Sequence, residues 1–288
     1  MSTSLPKPEQ ITVGTTRWCV ERGGSGPLCL LIHGTGASMH TWDGLAPLLM
    51  DHYSVVKLDL PGHAGTQSSK RADLSLQGMA SALWDLIEDQ QYKPDLIIGH
   101  SAGAAIMLQL CLEHPQLSAR LCSINGAVIP LQGMAGYLFS PLARLSANSD
   151  WMPKLFSFRA RNDRNIKKLL DSTGSVVDPV SFRRYAELFS DPQHVSGVLR
   201  MMANWRLEKL SPRLKQLAQN IHLIAASNDR TIALRDTYKL QQLLPADKVE
   251  VSVINGFGHL VQEESPDDVA RLILQSHTPQ SKTRQGEH

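Results

Sequence analysis

The feature that most constrains this chain is a junction. The apolar run Leu96-Ile97-Ile98 stops at Gly99-His100-Ser101-Ala102-Gly103, and an apolar segment of helical spacing follows at once, from Ala102 to Cys111. A strand buried on both faces reads as an unbroken run of this kind, and a helix that follows it without a linker must turn sharply back onto the sheet. Glycines at 99 and 103 let two backbones approach while Ser101 takes a strained conformation between them, and Ala104 and Ala105 extend the small side chains into the helix. A serine held this way lies beside the unpaired N–H groups and the positive end of a helix, where a developing oxyanion is stabilised. The five-residue pattern alone is weak, because a Gly-Ser turn before a helix is often only a cap. The strand before it and the helix after it are what a nucleophile reading requires, and both are here.

The rest of the chain repeats the same alternation. Apolar runs at residues 28–32, 53–58, 121–128, 221–226 and 249–254 predict further buried strands, and residues 11–13 and 17–21 around Gly14-Thr15 predict a hairpin. Helical spacing is found at 41–50, at 75–89 with Met79, Leu83, Leu86 and Ile87 on one side, at 232–244, and at 266–276 with Ser265 as N-cap. Strands alternating with helices in this order predict a doubly wound, mostly parallel α/β sheet with helices on both faces. From about Pro130 to Arg213 several helical patterns follow one another without a buried strand. The expected organisation is therefore a core of residues 1–130 and 214–276, an inserted helical cap over 131–213, and a disordered polar tail over 277–288.

Charge is uneven along the chain. Residues 131–213 hold thirteen Lys and Arg against seven Asp and Glu, a net +6, whereas the whole chain is only +2. A solvated helical face accounts for the densest part, 159–168; the alternative is a surface turned toward an anionic ligand or the acidic face of a membrane. The small total calls for no nucleic-acid partner. Residues 1–10 lack the basic start and apolar run of a secretory signal, and no stretch reaches the roughly 18–20 apolar residues that span a bilayer, so a cytoplasmic location is expected, with peripheral membrane contact through the basic cap as a further option. Cys19, Cys29, Cys111 and Cys122 show neither paired nor metal-ligand spacing and read as buried free thiols of a reducing compartment. The eleven histidines are dispersed as well, and neither a metal nor a dissociable cofactor is expected.

Serine is a poor nucleophile at neutral pH and needs a general base that is itself oriented by a carboxylate. His259 follows the apolar run 249–254 in the loop Asn255-Gly256-Phe257-Gly258-His259, at the carboxyl edge where open α/β sheets keep their sites. Its rivals are His222, which begins a strand, and His194, which lies in the insertion. Asp229 follows the run 221–226 through Ser227-Asn228 at the same edge and suits the acid, with a turn-forming role as the alternative. Asn125-Gly126 occupies the other strand end where an acid could stand. Asp59 precedes Ser101, and the Pro61-Gly62 turn explains it. The N–H groups of Ala102 and of Thr35, in His33-Gly34-Thr35-Gly36, are the expected oxyanion donors. His33 and His100 read as packing or hydrogen-bonding residues.

His33-Gly34, Asp59-Leu60-Pro61-Gly62, Gly99 to Gly103, Asp229 and Gly258-His259 together resemble the α/β-hydrolase superfamily, over roughly residues 10 to 275, which implies a mostly parallel sheet of the eight-stranded type with an inserted helical lid. In detail the chain is most similar to the magnesium chelatase accessory proteins of bacteriochlorophyll biosynthesis, through His33-Gly34-Thr35-Gly36-Ala37-Ser38, Gly99 to Ala105, Ser123-Ile124-Asn125-Gly126 and Met201-Met202-Ala203-Asn204-Trp205. One departure is Pro61-Gly62-His63-Ala64-Gly65, where related chains continue Pro-Gly-His-Gly. The resemblance implies a role near magnesium insertion into a porphyrin, with chelatase subunits as partners. Trp151, Leu155, Phe156, Met201, Met202 and Trp205 in the positively charged insertion would suit a flat apolar ligand bearing carboxylates, or else simply form the core of the cap. Three readings stand at this point: a serine hydrolase of ester-like apolar substrates, a carbon–carbon hydrolase or acyltransferase using the same triad, and a non-catalytic porphyrin-binding or chelatase-docking protein.

Overall fold

The computed structural model describes residues 7–130 and 151–276. The first twenty positions of the expected cap and the expected disordered tail at 277–288 lie outside the described residues. Hydrogen bonding gives the strands β1 (Glu9–Val13), β2 (Thr16–Gly24), β3 (Leu28–Ile32), β4 (Ser54–Leu58), β5 (Gln67–Ser68), β6 (Pro94–His100), β7 (Arg120–Ile124), β8 (Ile221–Ala226) and β9 (Val249–Ile254). They form one sheet in the order β1-β2-β4-β3-β6-β7-β8-β9, with β5 paired to β2. β1 and β2 are the expected hairpin, and β2 pairs antiparallel to β4, while β4, β3, β6, β7, β8 and β9 run parallel.

The unbroken apolar runs become strands because both faces of the sheet are covered. In β3, Leu30 and Ile32 point into one core, with Met79 and Leu83 of α2 (Leu76–Asp89) and Ile106 of α3 (Ala102–Glu113). Cys29 and Leu31 point into the other, with Leu45 and Leu49 of α1 (Leu45–Leu49) and residues of a C-terminal helix. This is the period of two expressed on both sides. Ser75 caps α2 by accepting the Gly78 N–H at 3.1 Å. Ten residues of α3, Ala102 to Cys111, are buried, so that helix carries no polar face. All four cysteines are buried free thiols.

Three expected elements come out shorter. The helix predicted over 41–50 is a 3-10 turn, Met39–Trp42, followed by α1, because Asp43-Gly44 interrupts it and Asp43 turns aside to pair with the buried Lys57. The strand predicted over 121–128 stops at Ile124, since Asn125 adopts φ 44°; Ala127 and Val128 are buried by packing and not by pairing. The helix predicted from Ile232 starts at Leu234, where Asp229 has taken the Thr231 and Ile232 N–H groups.

Between β7 and β8 the described residues form α4 (Met152–Ala160), α5 (Asp163–Ser172), α6 (Pro179–Ser190) and α7 (Pro192–Asn204), then a 3-10 segment, Ser211–Gln216. The chain closes with α8 (Leu234–Leu243), α9 (Val261–Glu264) and α10 (Pro266–Gln275). Ser265 stands at the N-cap position of α10, but its hydroxyl accepts no helix N–H and donates to Asp268 Oδ2 at 2.7 Å instead. No helix among the described residues is long and apolar enough to cross a membrane.

The strand order reverses between β3 and β6: the chain passes from β3 outward to β4 on one side, and from β6 outward to β9 on the other. Connections leave these two strands in opposite directions and open a crevice at their carboxyl ends. Ile32 pairs with Gly99 there, which brings the loop after β3 against the β6–α3 junction.

Candidate active site

Ser101 occupies that junction with φ 52° and ψ −117°. Its N–H extends the β6–β7 ladder one step, donating to Ile124 O at 3.0 Å, while its carbonyl accepts from Ala104 and Ala127 at 3.1 and 3.0 Å. One residue thus ends a strand and starts a helix, which is the source of the strain. The flanking glycines follow from the closeness. A Cβ on Gly99 would lie 2.6 Å from Ala104 N, and one on Gly103 would lie 2.2 Å from Ile32 O.

The structure brings the three separated side chains of the expected triad together. The Ser101 hydroxyl lies 3.0 Å from His259 Nε2, and His259 Nδ1 lies 2.7 Å from Asp229 Oδ2. Asp229 is fixed in turn, because its Oδ1 accepts the N–H groups of Thr231 and Ile232 at 2.7 and 2.8 Å. With Nδ1–H donating to a carboxylate, Nε2 is left as an acceptor aimed at the serine proton. Ser101 and His259 open onto one cavity of about 930 Å³, whose wall also includes Thr35 and Ala102. The N–H groups of Thr35 and Ala102 donate to no partner among the described residues.

The remaining candidates are engaged elsewhere. His33 Nε2 accepts the Leu60 N–H at 2.9 Å and Nδ1 donates to Gly34 O at 2.7 Å, joining the loops after β3 and β4. Burial holds its pKa well below the ordinary histidine range, so it is neutral. Asp59 gives both oxygens to N–H groups, of Met39 at 2.8 Å and Gly65 at 2.9 Å, and burial pushes it up to about 6. His222 bonds Ser252 across β8 and β9. His194, on α7, accepts the Ala64 N–H at 3.1 Å and reaches Gly36 O at 3.3 Å. Ala64 is the departure noted in the Pro-Gly-His turn, and it sits at φ 42°, the left-handed region where glycine is at ease.

Sequence reasoning missed what holds His259. Its carbonyl accepts from His100 Nε2 and from Asn125 Nδ2, both at 2.9 Å. Asn125 also donates to Gly258 O at 3.2 Å and accepts the Ala226 N–H at 2.8 Å, so it binds the ends of β7 and β8 to the His259 loop. The Asn-Gly pair at a strand end was the available signal, and it reads simply as a turn. Burial lowers the pKa of His100, which fixes the ring as a neutral Nε2–H donor.

The apolar residues of the insertion divide. Phe156, Met202 and Trp205 line the cavity; Met201 is fully buried beside it, and Trp151 and Leu155 face solvent. Of the basic run, Arg159 stands at the cavity wall, to which Arg206 also contributes, whereas Arg161, Arg164, Lys167 and Lys168 are solvated.

Comparison with known proteins agrees with this fold. A chain of Rhodobacter capsulatus described as the magnesium-chelatase 30 kDa subunit is 39% identical over 259 residues, covering 89% of each chain. Among solved structures, a putative lipase from Acinetobacter baumannii superposes with a TM-score of 0.79 at 20% identity, covering 95% of this chain and 91% of the lipase. An epoxide hydrolase does so equally well, at 21% identity, over 93% of this chain and 97% of its own. The model of the alpha/beta hydrolase family matches residues 29–272, and this chain is a member of that family.

Proposed function

We propose that the chain is a serine hydrolase acting on an ester-like bond of an apolar small molecule. One observation carries the reading: the unbroken line from the Ser101 hydroxyl through His259 to Asp229, ending at a cavity. Ser101 Oγ attacks the acyl carbon as its proton passes to His259 Nε2, and Asp229 stabilises the imidazolium that forms. The Thr35 and Ala102 N–H groups receive the oxyanion. Collapse expels the alcohol, which takes the proton from His259. A water then repeats the sequence on the acyl-enzyme, releasing the acid and regenerating the serine. The wall of Phe156, Met202 and Trp205 favours an apolar body on the substrate, and Arg159 and Arg206 suit carboxylates at its edge.

The 39% identity to a chain described as a magnesium-chelatase subunit supports placing this chemistry beside magnesium insertion into a porphyrin, with chelatase subunits as partners. The same identity favours a second reading, a non-catalytic protein that holds a porphyrin or docks on the chelatase. A fluorophosphonate probe separates the two. Labelling that disappears in Ser101→Ala supports the hydrolase. Absence of Ser101-dependent labelling, together with saturable porphyrin binding in a fluorescence titration, supports the binding protein.

A further inference from the structure

The sheet alone does not hold the loops that carry Asp229 and His259. Between α5 and α6 the insertion sends the turn Thr173-Gly174-Ser175 onto both of them. The Thr173 carbonyl accepts two N–H groups: that of His259 at 3.3 Å, and that of Arg230, next to Asp229, at 3.1 Å. Ser175 is buried, and its hydroxyl oxygen accepts the Leu260 N–H at 2.8 Å. Glu264 joins the same segments again, accepting from Gly258 and from Val176, both at 2.9 Å. The approach leaves no room for side chains. A Cβ on Gly174 would lie 2.3 Å from Asn228 O, and one on Gly258 would lie 2.3 Å from the Gly174 carbonyl carbon.

We infer that this turn is the positioning element for the proposed base and acid, so that the seating of the inserted helices sets the alignment of His259 with Ser101. The inference rests on the hydrolase reading and deepens it. The core anchors the His259 loop through the Gly258 and His259 carbonyls, by way of His100 and Asn125, and through the Gly258 N–H, which Glu264 accepts. The N–H groups of His259, Leu260 and Arg230 find their acceptors in the insertion instead, and the first two belong to buried residues, whose donors must find one. Removing the turn would take the acceptor from all three at once and orphan those of His259 and Leu260. Thr173 also lines the cavity with Ile166, Leu169 and Ser172, residues of the helix that runs into the turn. A molecule filling the cavity therefore presses on the element that orients the base, and Ser175 acts through Leu260 and His259 without touching that molecule.

The test uses the full chain and the variant Ser175→Ala, which removes the acceptor of the Leu260 N–H and leaves the cavity wall as it was. With a p-nitrophenyl ester, kcat per active molecule is expected to fall between ~10- and ~100-fold, as small misplacements of catalytic groups do, while KM stays within about twofold. The far-downfield NMR resonance of the His259 Nδ1 proton should broaden or vanish, and Ser175→Thr, which keeps the oxygen, should restore both signals. A merely structural role would lower the melting temperature and the titrated fraction of active molecules with kcat per active molecule unchanged; that result overturns the inference. If Ser175→Ala does not fold, Glu264→Gln, which weakens the Gly258–Val176 bridge, is read the same way. If the native chain neither hydrolyses the ester nor labels at Ser101, the hydrolase reading falls by itself. The NMR signal then decides the positioning claim: its loss in Ser175→Ala supports it, and its persistence refutes it.

Discussion

Replacing Asn125 by alanine removes three buried hydrogen bonds together, and their losses differ. His259 O keeps the His100 Nε2–H at 2.9 Å and is little affected. Gly258 O and the Ala226 N–H lose the side chain that served them, at a residue only 2% exposed, where water does not enter to replace it. A buried polar group left unpaired costs about 1–3 kcal/mol. Asn125 also stands at φ 44°, and a Cβ residue without a compensating side-chain bond adds about 1 kcal/mol there. The backbone bond from Asn125 N–H to Ile224 O, at 2.9 Å, survives the substitution. The sum is about 3–7 kcal/mol, which for a chain of this size lowers the melting temperature by roughly 6–20 °C. Thermal melts followed by circular dichroism measure it, and Asn125→Gly, which relieves the backbone contribution alone, should recover about 1 kcal/mol of the loss. If Asn125→Ala melts within about 2 °C of the native chain, the side-chain bridge contributes nothing and the reasoning is wrong.

Asp229→Asn should cost about three to four orders of magnitude in kcat with the fold intact, measured on any ester the native chain turns over. The amide oxygen must face the Thr231 and Ile232 N–H groups, so the NH2 faces His259 and forces the proton onto Nε2, where it cannot accept from Ser101. Glu263 is buried among Thr41 and Tyr185, and burial pushes its pKa up to about 7, so its stabilising contribution is full below pH 4.5 and is lost as pH rises through about 7. Glu263→Gln should flatten the fall in melting temperature between pH 5 and 8 by the equivalent of about 3 kcal/mol; an unchanged slope would rule the glutamate out. His63 and His194, lowered by burial to about 3 and about 4, work the other way: their stability is present above pH 6.5 and is lost as pH falls toward 4, so melts should show an acid limb in that window. Ala64→Gly should gain up to about 1 kcal/mol, the relief at φ 42° less the greater freedom of glycine in the unfolded chain; a lower melting temperature would show that the turn is not strained.

Much of the site was legible because its parts are set by short-range rules. Gly99 and Gly103 announce a close approach that only a strand-to-helix turn needs, and Ser101, Asp229 and His259 each follow an apolar run at its carboxyl end. Illegible were the residues that hold the site. Asn125 looks like a turn former, His100 reads as a packing or hydrogen-bonding residue without a named partner, and Ser175 carries no signal, since what each does depends on a partner 85 or more positions away: Ala226 and His259 for Asn125, His259 for His100, Leu260 for Ser175. Lys57 is a similar case. It stands inside an apolar run, and only folding brings Glu21 within 2.7 Å to make its burial tolerable.

By itself, then, the sequence determined which segments are strands and which are the helices that cover them, because burial on both faces of a sheet leaves unbroken apolar runs and burial on one side leaves helical spacing. It also determined where a sharp turn must present a serine. The tertiary structure alone decided that the 3.0 Å and 2.7 Å contacts of His259 are met, and that the inserted helices reach back to hold its loop. Such contacts join residues with no common period or spacing, and only the closed path of the chain brings their donors and acceptors into range.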